Sequence, residues 1–277
     1  MRDKVKDKLE AMNSQNKEKP QYGFVAIRYF VITGSIGLIV LVVSLIAYVF
    51  SFLASPFNLV FLLVGIPVAY ICLHIGLSYI PLYFRLLRPP NIQSIWKEII
   101  TESMNLNAEL SILDIGCGTG LVSITLARQL PQAQVTGIDL FHGVSDHSPS
   151  QPTRNAQLED VADRVSFREG NLLKIPFPDN SFDIVTAGSV LHELHSDELR
   201  LQALHEITRV LKPSGKFISV EMLRDHRMKI AFLLFSRVWK PKMYWKLHEQ
   251  RGFDNQKIKE YTRFINLGVF ICEKSSD

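Results

Sequence analysis

Ile112-Leu113-Asp114-Ile115-Gly116-Cys117-Gly118-Thr119-Gly120 is the stretch on which the fold turns. An apolar run carries an acid and then breaks into three glycines separated by small residues. The helix-like pattern of Leu121 to Leu130 follows at once. This order reads as a buried strand, a tight turn and a helix N-terminus. Glycine reaches positive φ and lacks Cβ, so a ligand can lie against the backbone at such a turn. The N–H groups of the first helical turn open on the same space.

The spacing narrows the ligand. Dinucleotide-binding turns carry G-x-G-x-x-G and hold a pyrophosphate on the helix N-terminus. Here the pattern is G-x-G-x-G, with Asp114 two residues ahead of the first glycine. A second strand-like run, Val135-Thr136-Gly137-Ile138-Asp139, ends in an acid. Asp139 stands roughly 20 residues downstream, where such folds place the carboxylate that takes ribose hydroxyls. The combination points to a nucleoside ligand without a diphosphate clamp.

Further along, Ile175-Pro176-Phe177-Pro178-Asp179-Asn180-Ser181-Phe182-Asp183 leads into the buried strand Ile184-Val185-Thr186-Ala187. Gly188-Ser189-Val190-Leu191-His192-Glu193-Leu194-His195 comes next. Ligands of parallel sheets sit at the carboxyl ends of the strands, which places Ser189, His192 and His195 at the reacting centre. Ser196-Asp197-Glu198 is an N-cap with acids in the first turn. Leu201, Leu204, Ile207 and Leu211 then stripe a helix that Lys212-Pro213-Ser214-Gly215 ends, before a strand over Lys216 to Glu221.

These motifs together resemble the class I S-adenosylmethionine-dependent methyltransferases of the ubiquinone/menaquinone type. The resemblance runs from about Ile92 to the C-terminus and is strongest from Leu110 to Glu221. It implies an α/β fold over residues 89–277, a Rossmann-like seven-stranded sheet with helices on both faces. It implies S-adenosyl-L-methionine as cofactor and a small or lipid-soluble methyl acceptor, a quinone or a lipid. Residue by residue, it implies cofactor contacts at Asp114, Gly116, Cys117, Gly118 and Gly120, and at Asp139 and Leu140 beside the ribose. Asn171 and Leu172 take the adenine place; Asn171 replaces the usual Asp, keeping an acceptor oxygen but losing charge assistance. Ser189 completes the cofactor set, and His192, then His195, are the candidate catalytic bases, with an ordinary pKa near ~6.5. The closing antiparallel pair is expected at Lys257 to Ile265 and Leu267 to Glu273.

Ahead of this domain the composition changes. Residues 1–23 form a basic tail. Tyr29 to Leu53 and Leu59 to Leu82 contain no charged residue and are separated by Ser55-Pro56-Phe57-Asn58. Each run reaches the ~20 residues that a helix needs to cross a bilayer. Residues 24–88 therefore read as a transmembrane hairpin that meets the lipid bilayer through residues 29–82. Lysine and arginine flank both ends and are missing from the outer turn, so the expected location is the cell membrane, multi-pass, with the catalytic domain in the cytoplasm. A non-catalytic membrane scaffold that binds the same cofactor is the alternative from another class.

Three limits close the reading. A net charge of +4 over 277 residues is too mild to imply nucleic acid. Cys72, Cys117 and Cys272 have neither disulfide nor zinc spacing. His142, Asp146 and His147 lie in a polar loop without fixed ligand geometry, and no metal is expected. Met222 to Gly252 combines an apolar helical stripe with many basic residues, a pattern suited to an interfacial helix on anionic lipid.

Overall fold

The computed structural model describes residues 20, 22, 34–39, 42, 43, 46, 67, 68, 70, 71, 92–141, 148–223, 253–262 and 266–275. The chain from Ile92 onward alternates helix and strand. Helix α1 (Ile92–Ser103) precedes β1 (Ser111–Ile115), α2 (Leu121–Gln129), β2 (Gln134–Asp139), α3 (Ser150–Leu158) and β3 (Val165–Glu169). Strand β4 (Phe182–Gly188), a 3-10 turn (Leu191–Glu193), α4 (Asp197–Val210), β5 (Leu211–Leu223), β6 (Phe253–Thr262) and β7 (Asn266–Lys274) follow.

The strands form one sheet in the order β3-β2-β1-β4-β5-β7-β6. The pairs from β3 to β5 are parallel, while β7 is antiparallel to both β5 and β6. The strand order reverses between β1 and β4, so a crevice opens above their carboxyl ends. Successive side chains of the parallel strands face opposite ways and feed two cores. Leu113, Val185 and Phe217 pack with Ala203, Leu204 and Ile207 of α4. Ile112, Ile184 and Ile218 pack on the other face with Trp96 and Ile100 of α1 and Ile124 and Leu126 of α2. Burying a side chain of this size contributes about 1.5–3 kcal/mol, so these layers hold the sheet.

The run from Ile175 to Asp183 is structural. Asp183 Oδ2 accepts the Ser111 N–H (2.8 Å) and its Oδ1 accepts Lys212 Nζ (2.8 Å), tying the starts of β1, β4 and β5 together. Arg209 donates to the carbonyls of Ile175 and Phe177 and to Asp179 and Glu206, which pins the loop before β4.

Some boundaries differ from expectation. Helix α3, which the sequence suggests over Pro152 to Ala162, starts at Ser150 and stops at Leu158, because Asp160 takes a left-handed φ of 55° and turns the chain. β5 begins at Leu211, ahead of the expected Lys216, with a register irregularity against β4 where Ser214 is left-handed. β6 starts and ends earlier than the expected Lys257 to Ile265. Ser196 caps α4 as expected, accepting the Leu199 N–H (3.3 Å).

Among the described residues no helix is long and apolar enough to cross a membrane. Most of the expected hairpin over 24–88, the loop residues His142, Asp146 and His147, and the basic segment 224–252 lie outside the described residues.

Candidate functional site

The glycine turn lies where β1 gives way to α2, and its three glycines do two different jobs. A Cβ on Gly116 would stand 2.5 Å from Val190 Cγ2, and one on Gly120 2.8 Å from Phe167 Cζ. Those two positions are glycine because neighbouring side chains fill the space. A Cβ on Gly118 would meet nothing within 4 Å, so the crevice is open over its backbone. All three have positive φ (69°, 51° and 83°), which glycine adopts without strain.

The turn's own donors are largely spent on the end of β2. The N–H groups of Gly116 (2.8 Å) and Cys117 (3.1 Å) both donate to the Ile138 carbonyl. Asp139 Oδ2 accepts the Gly118 N–H (2.9 Å), and its Oδ1 accepts that of Phe141 (3.0 Å). The partly exposed Asp139 carboxylate thus stands beside the open backbone of Gly118, where a ribose diol could donate to it. Leu140 next to it is exposed and presents an apolar side chain at the lip.

Asp114 and Cys117, expected among the cofactor contacts, are buried on the underside of the turn. Asp114 is fully buried, and its carboxylate accepts Ser123 Oγ (2.5 Å) and Thr186 Oγ1 (3.0 Å). Burial pushes its pKa up to about 6 against those hydrogen bonds, which favour the charged form. Its part is to brace β1, α2 and β4. Cys117 packs its sulfur toward Gly137, and burial pushes its thiol well above the ordinary range, so it is inert.

Asn171 lies in the loop after β3, and its Oδ1 accepts the Leu173 N–H (2.8 Å) in an Asx turn. One lone pair of that oxygen is therefore committed to the loop, and one stays for a ligand. Leu172 packs partly against the core beneath α4.

Opposite the glycine turn, the segment after β4 is latched to the end of β5. Ser189 has a left-handed φ of 60°, and both its N–H (2.8 Å) and its Oγ–H (2.9 Å) donate to the Val220 carbonyl. Glu221, fully buried, accepts the Leu191 N–H through Oε1 (3.0 Å) and contacts His192 Nδ1 through Oε2 (3.2 Å). His192 Nε2 faces Glu193 Oε1 at 3.2 Å. Burial alone would push the imidazole pKa down, but Glu193 and Glu221 outweigh it and take it up to about 10. The two carboxylates thus favour the protonated ring, the form that has no lone pair with which to act as the expected base. His195 is exposed, beyond the latch and before the cap of α4.

Three contributors escaped the sequence. Glu221 is the partner of His192. Asn155, buried on α3, donates to the Thr119 carbonyl (2.9 Å) and steadies the glycine turn. Gly137 leaves room for Cys117 and Phe167, and a glycine inside a strand run was a signal of such close approach.

Comparison with known proteins agrees with this geometry. The model of a methyltransferase domain family matches residues 113–219. A demethylmenaquinone methyltransferase of Lactiplantibacillus plantarum is 36% identical over 127 residues, 46% of this chain and 51% of the relative. One of Listeria monocytogenes is 33% identical over 184 residues, 64% of this chain and 74% of the relative. The chain thus spans about half the length of the first of these relatives. The crystal structure of a SAM-dependent methyltransferase from Aquifex aeolicus shares the fold, with a TM-score of 0.55 and 20% identity over 67% of this chain and 93% of the other.

Proposed function

The chain belongs to the class I S-adenosylmethionine-dependent methyltransferases, and from that membership we propose that it is a membrane-anchored enzyme methylating a lipid-soluble quinone. The observation that carries the reading is the open backbone of Gly118 beside the carboxylate of Asp139, at the point where the strand order reverses. That arrangement fits the family's cofactor: bare backbone for the nucleoside, and an acceptor for its sugar hydroxyls. Bound there, S-adenosylmethionine supplies an electrophilic methyl group. Gly118, Asp139, Leu140 and the Asn171 loop would hold it. Gly116, Cys117, Gly120 and Asp114 would shape the turn that it lies on. The Ser189 to Glu193 segment faces the acceptor side, where a positioned nucleophile and exclusion of water do most of the work.

The quinone preference draws on the two relatives, both named demethylmenaquinone methyltransferases. The membrane reading draws on the chain itself. Among the described residues, nine of the eleven exposed large hydrophobic residues fall between Ile36 and Ile71, where apolar side chains cover the outside of helical segments. Tyr22 and Ile92, which bracket the charge-free region, both pack on the core formed with α1 and α2. Both flanks on one domain require an even number of crossings, as a hairpin provides. The lysine-rich flanks put that side in the cytoplasm.

Full-length protein incubated with methyl-labelled donor and a chemically reduced membrane quinone extract is expected to move label into the menaquinone fraction. Label in phospholipid alone, or in nothing, would remove the quinone assignment. Flotation with liposomes tests the anchor: the full chain is expected to float, and the chain lacking residues 1–88 to stay at the bottom.

A further inference from the structure

Resting on the methyl-donor reading above, we propose that the site also grips the amino-acid tail of the donor: the indole N–H of Trp96, with the N-terminus of α2, takes the tail's carboxylate. The chain then recognises S-adenosylmethionine at two ends, the nucleoside at Gly118 and Asp139 and the amino acid beside Gly188.

An orphaned donor carries the proposal. Trp96 has no exposed surface, and its Nε1 has no hydrogen-bond partner. A buried N–H left unpaired loses its hydration with nothing in return, and buried polar groups are normally paired. A phenylalanine would fill this core without that loss, so the nitrogen needs an acceptor. The position of the ring says where one can come from. A Cβ on Gly188 would stand 3.8 Å from Trp96 Nε1 and 3.9 Å from Cζ2. The N–H edge of the indole therefore lies against the last residue of β4, level with the floor of the crevice.

Two helices converge on that point. The carbonyl of Ser103, the last residue of α1, accepts Lys216 Nζ (3.1 Å), and Lys216 pairs with Ile184 near the start of β4. Helix α1 thus runs against the parallel strands and brings its early residues, Trp96 among them, to their carboxyl ends. Val122, in the first turn of α2, reaches the same glycine, its Cγ2 2.9 Å from the Cβ position. The first N–H groups of a helix have no carbonyl of their own helix to meet, and they favour an anion. In α2 the Ser123 N–H turns to buried Asp114, and those of Leu121 and Val122 come before it.

The tail's carboxylate is the group that fits this corner. Gly118, Asp139, Leu140 and Asn171 account for the sugar and the base, and leave the amino acid without a partner. Asp139 ends β2 and Gly188 ends β4, with β1 between them. Two strand spacings are about 10 Å, a span that the tail covers from the sugar through the sulfur to the carboxylate. An indole N–H only donates and a carboxylate only accepts, so the pairing has a single polarity.

The test is titration calorimetry on the full-length chain with two ligands: S-adenosylhomocysteine, and 5′-methylthioadenosine, which keeps the nucleoside and the sulfur but lacks the amino acid. S-adenosylhomocysteine is expected to bind at least about tenfold tighter, the margin of a charge-assisted hydrogen bond. Trp96→Phe keeps a ring in the core and removes the N–H. It should weaken S-adenosylhomocysteine by about tenfold and leave 5′-methylthioadenosine unchanged. A second measurement needs no change at Trp96. The chain has three tryptophans, so the indole N–H resonance that survives Trp239→Phe with Trp245→Phe belongs to Trp96. S-adenosylhomocysteine should move that resonance downfield, and 5′-methylthioadenosine should not; this decides the matter if Trp96→Phe fails to fold. Equal affinity for the two ligands, a Trp96→Phe variant that weakens both alike or neither, or a resonance that S-adenosylhomocysteine does not move overturns the proposal and leaves the methyl-donor reading standing. Binding of neither ligand overturns both.

Discussion

At the ends of β1 and β2 the crevice is lined by backbone: Gly118 is open above, and Asp139 holds its N–H from the side. At the ends of β4 and β5 it is lined by charge: His192 stands between buried Glu221 and exposed Glu193. The first lip recognises by shape, because a nucleoside needs room against the main chain. The second is defined by electrostatics, because His192 sits between two carboxylates. A single added methyl group should therefore be the sharper probe of the first lip, and pH the sharper probe of the second.

The harshest way to break this contrast is to add a Cβ to each glycine in turn. Gly116→Ala and Gly120→Ala drive a methyl into Val190 and Phe167 and are expected to destabilise the fold by roughly 2–4 kcal/mol in thermal unfolding. Gly118→Ala meets no neighbour and should cost only about 1–2 kcal/mol for its left-handed backbone, yet lose donor binding in calorimetry. Three equal melting shifts would mean that the glycines share one role.

On the charged lip, pH is the probe. The folded pKa of His192, about 10, lies above its unfolded value, so the stability it contributes is full below pH ~6.5 and is lost as pH rises through 10. Glu221→Gln removes the buried partner. It is expected to cost roughly 2–3 kcal/mol at pH 7 and to flatten the stability profile between those limits. A profile of unchanged slope would place the charge elsewhere.

Asp114 gives the opposite check beneath the donor lip. Its folded pKa of about 6 is also raised, here by burial of a carboxylate. The neutral acid is the form the fold favours, and this contribution, full below pH ~3.8, is lost as pH rises through 6. Asp114→Asn, neutral at every pH, is expected to gain roughly 1–2 kcal/mol over the unmodified chain between pH 4 and 8 in urea unfolding. The smallest effect belongs to Asn171→Asp. The Asx turn to Leu173 is kept and a charge-assisted acceptor is restored, so donor affinity should rise by about 0.5–1 kcal/mol.

The two lips were unequally legible in the sequence. The donor lip reads from local order, since Asp139 is 21 residues from the Gly118 N–H it accepts, within one strand–helix–strand unit. The acceptor lip depends on pairing between strands. Glu221 lies 29 residues from His192, and only the parallel register of β4 with β5 brings them together. Without that partner, His192 reads as an ordinary base; with it, as a cation. Asn155, 36 residues from the Thr119 carbonyl it holds, was hidden for the same reason. Asp114 is legible as part of the motif, but its spacing does not reveal that Ser123 and Thr186 enclose it.

The central claim is that the sugar of the donor is gripped by Asp139 above the bare backbone of Gly118. Titration calorimetry of the full-length chain and of Asp139→Ala with S-adenosylhomocysteine tests it most directly. The account predicts that the variant melts within a few degrees of the unmodified chain and loses at least about 100-fold in affinity, the loss of two charge-assisted hydrogen bonds. A folded Asp139→Ala variant that binds as tightly as the unmodified chain would contradict it.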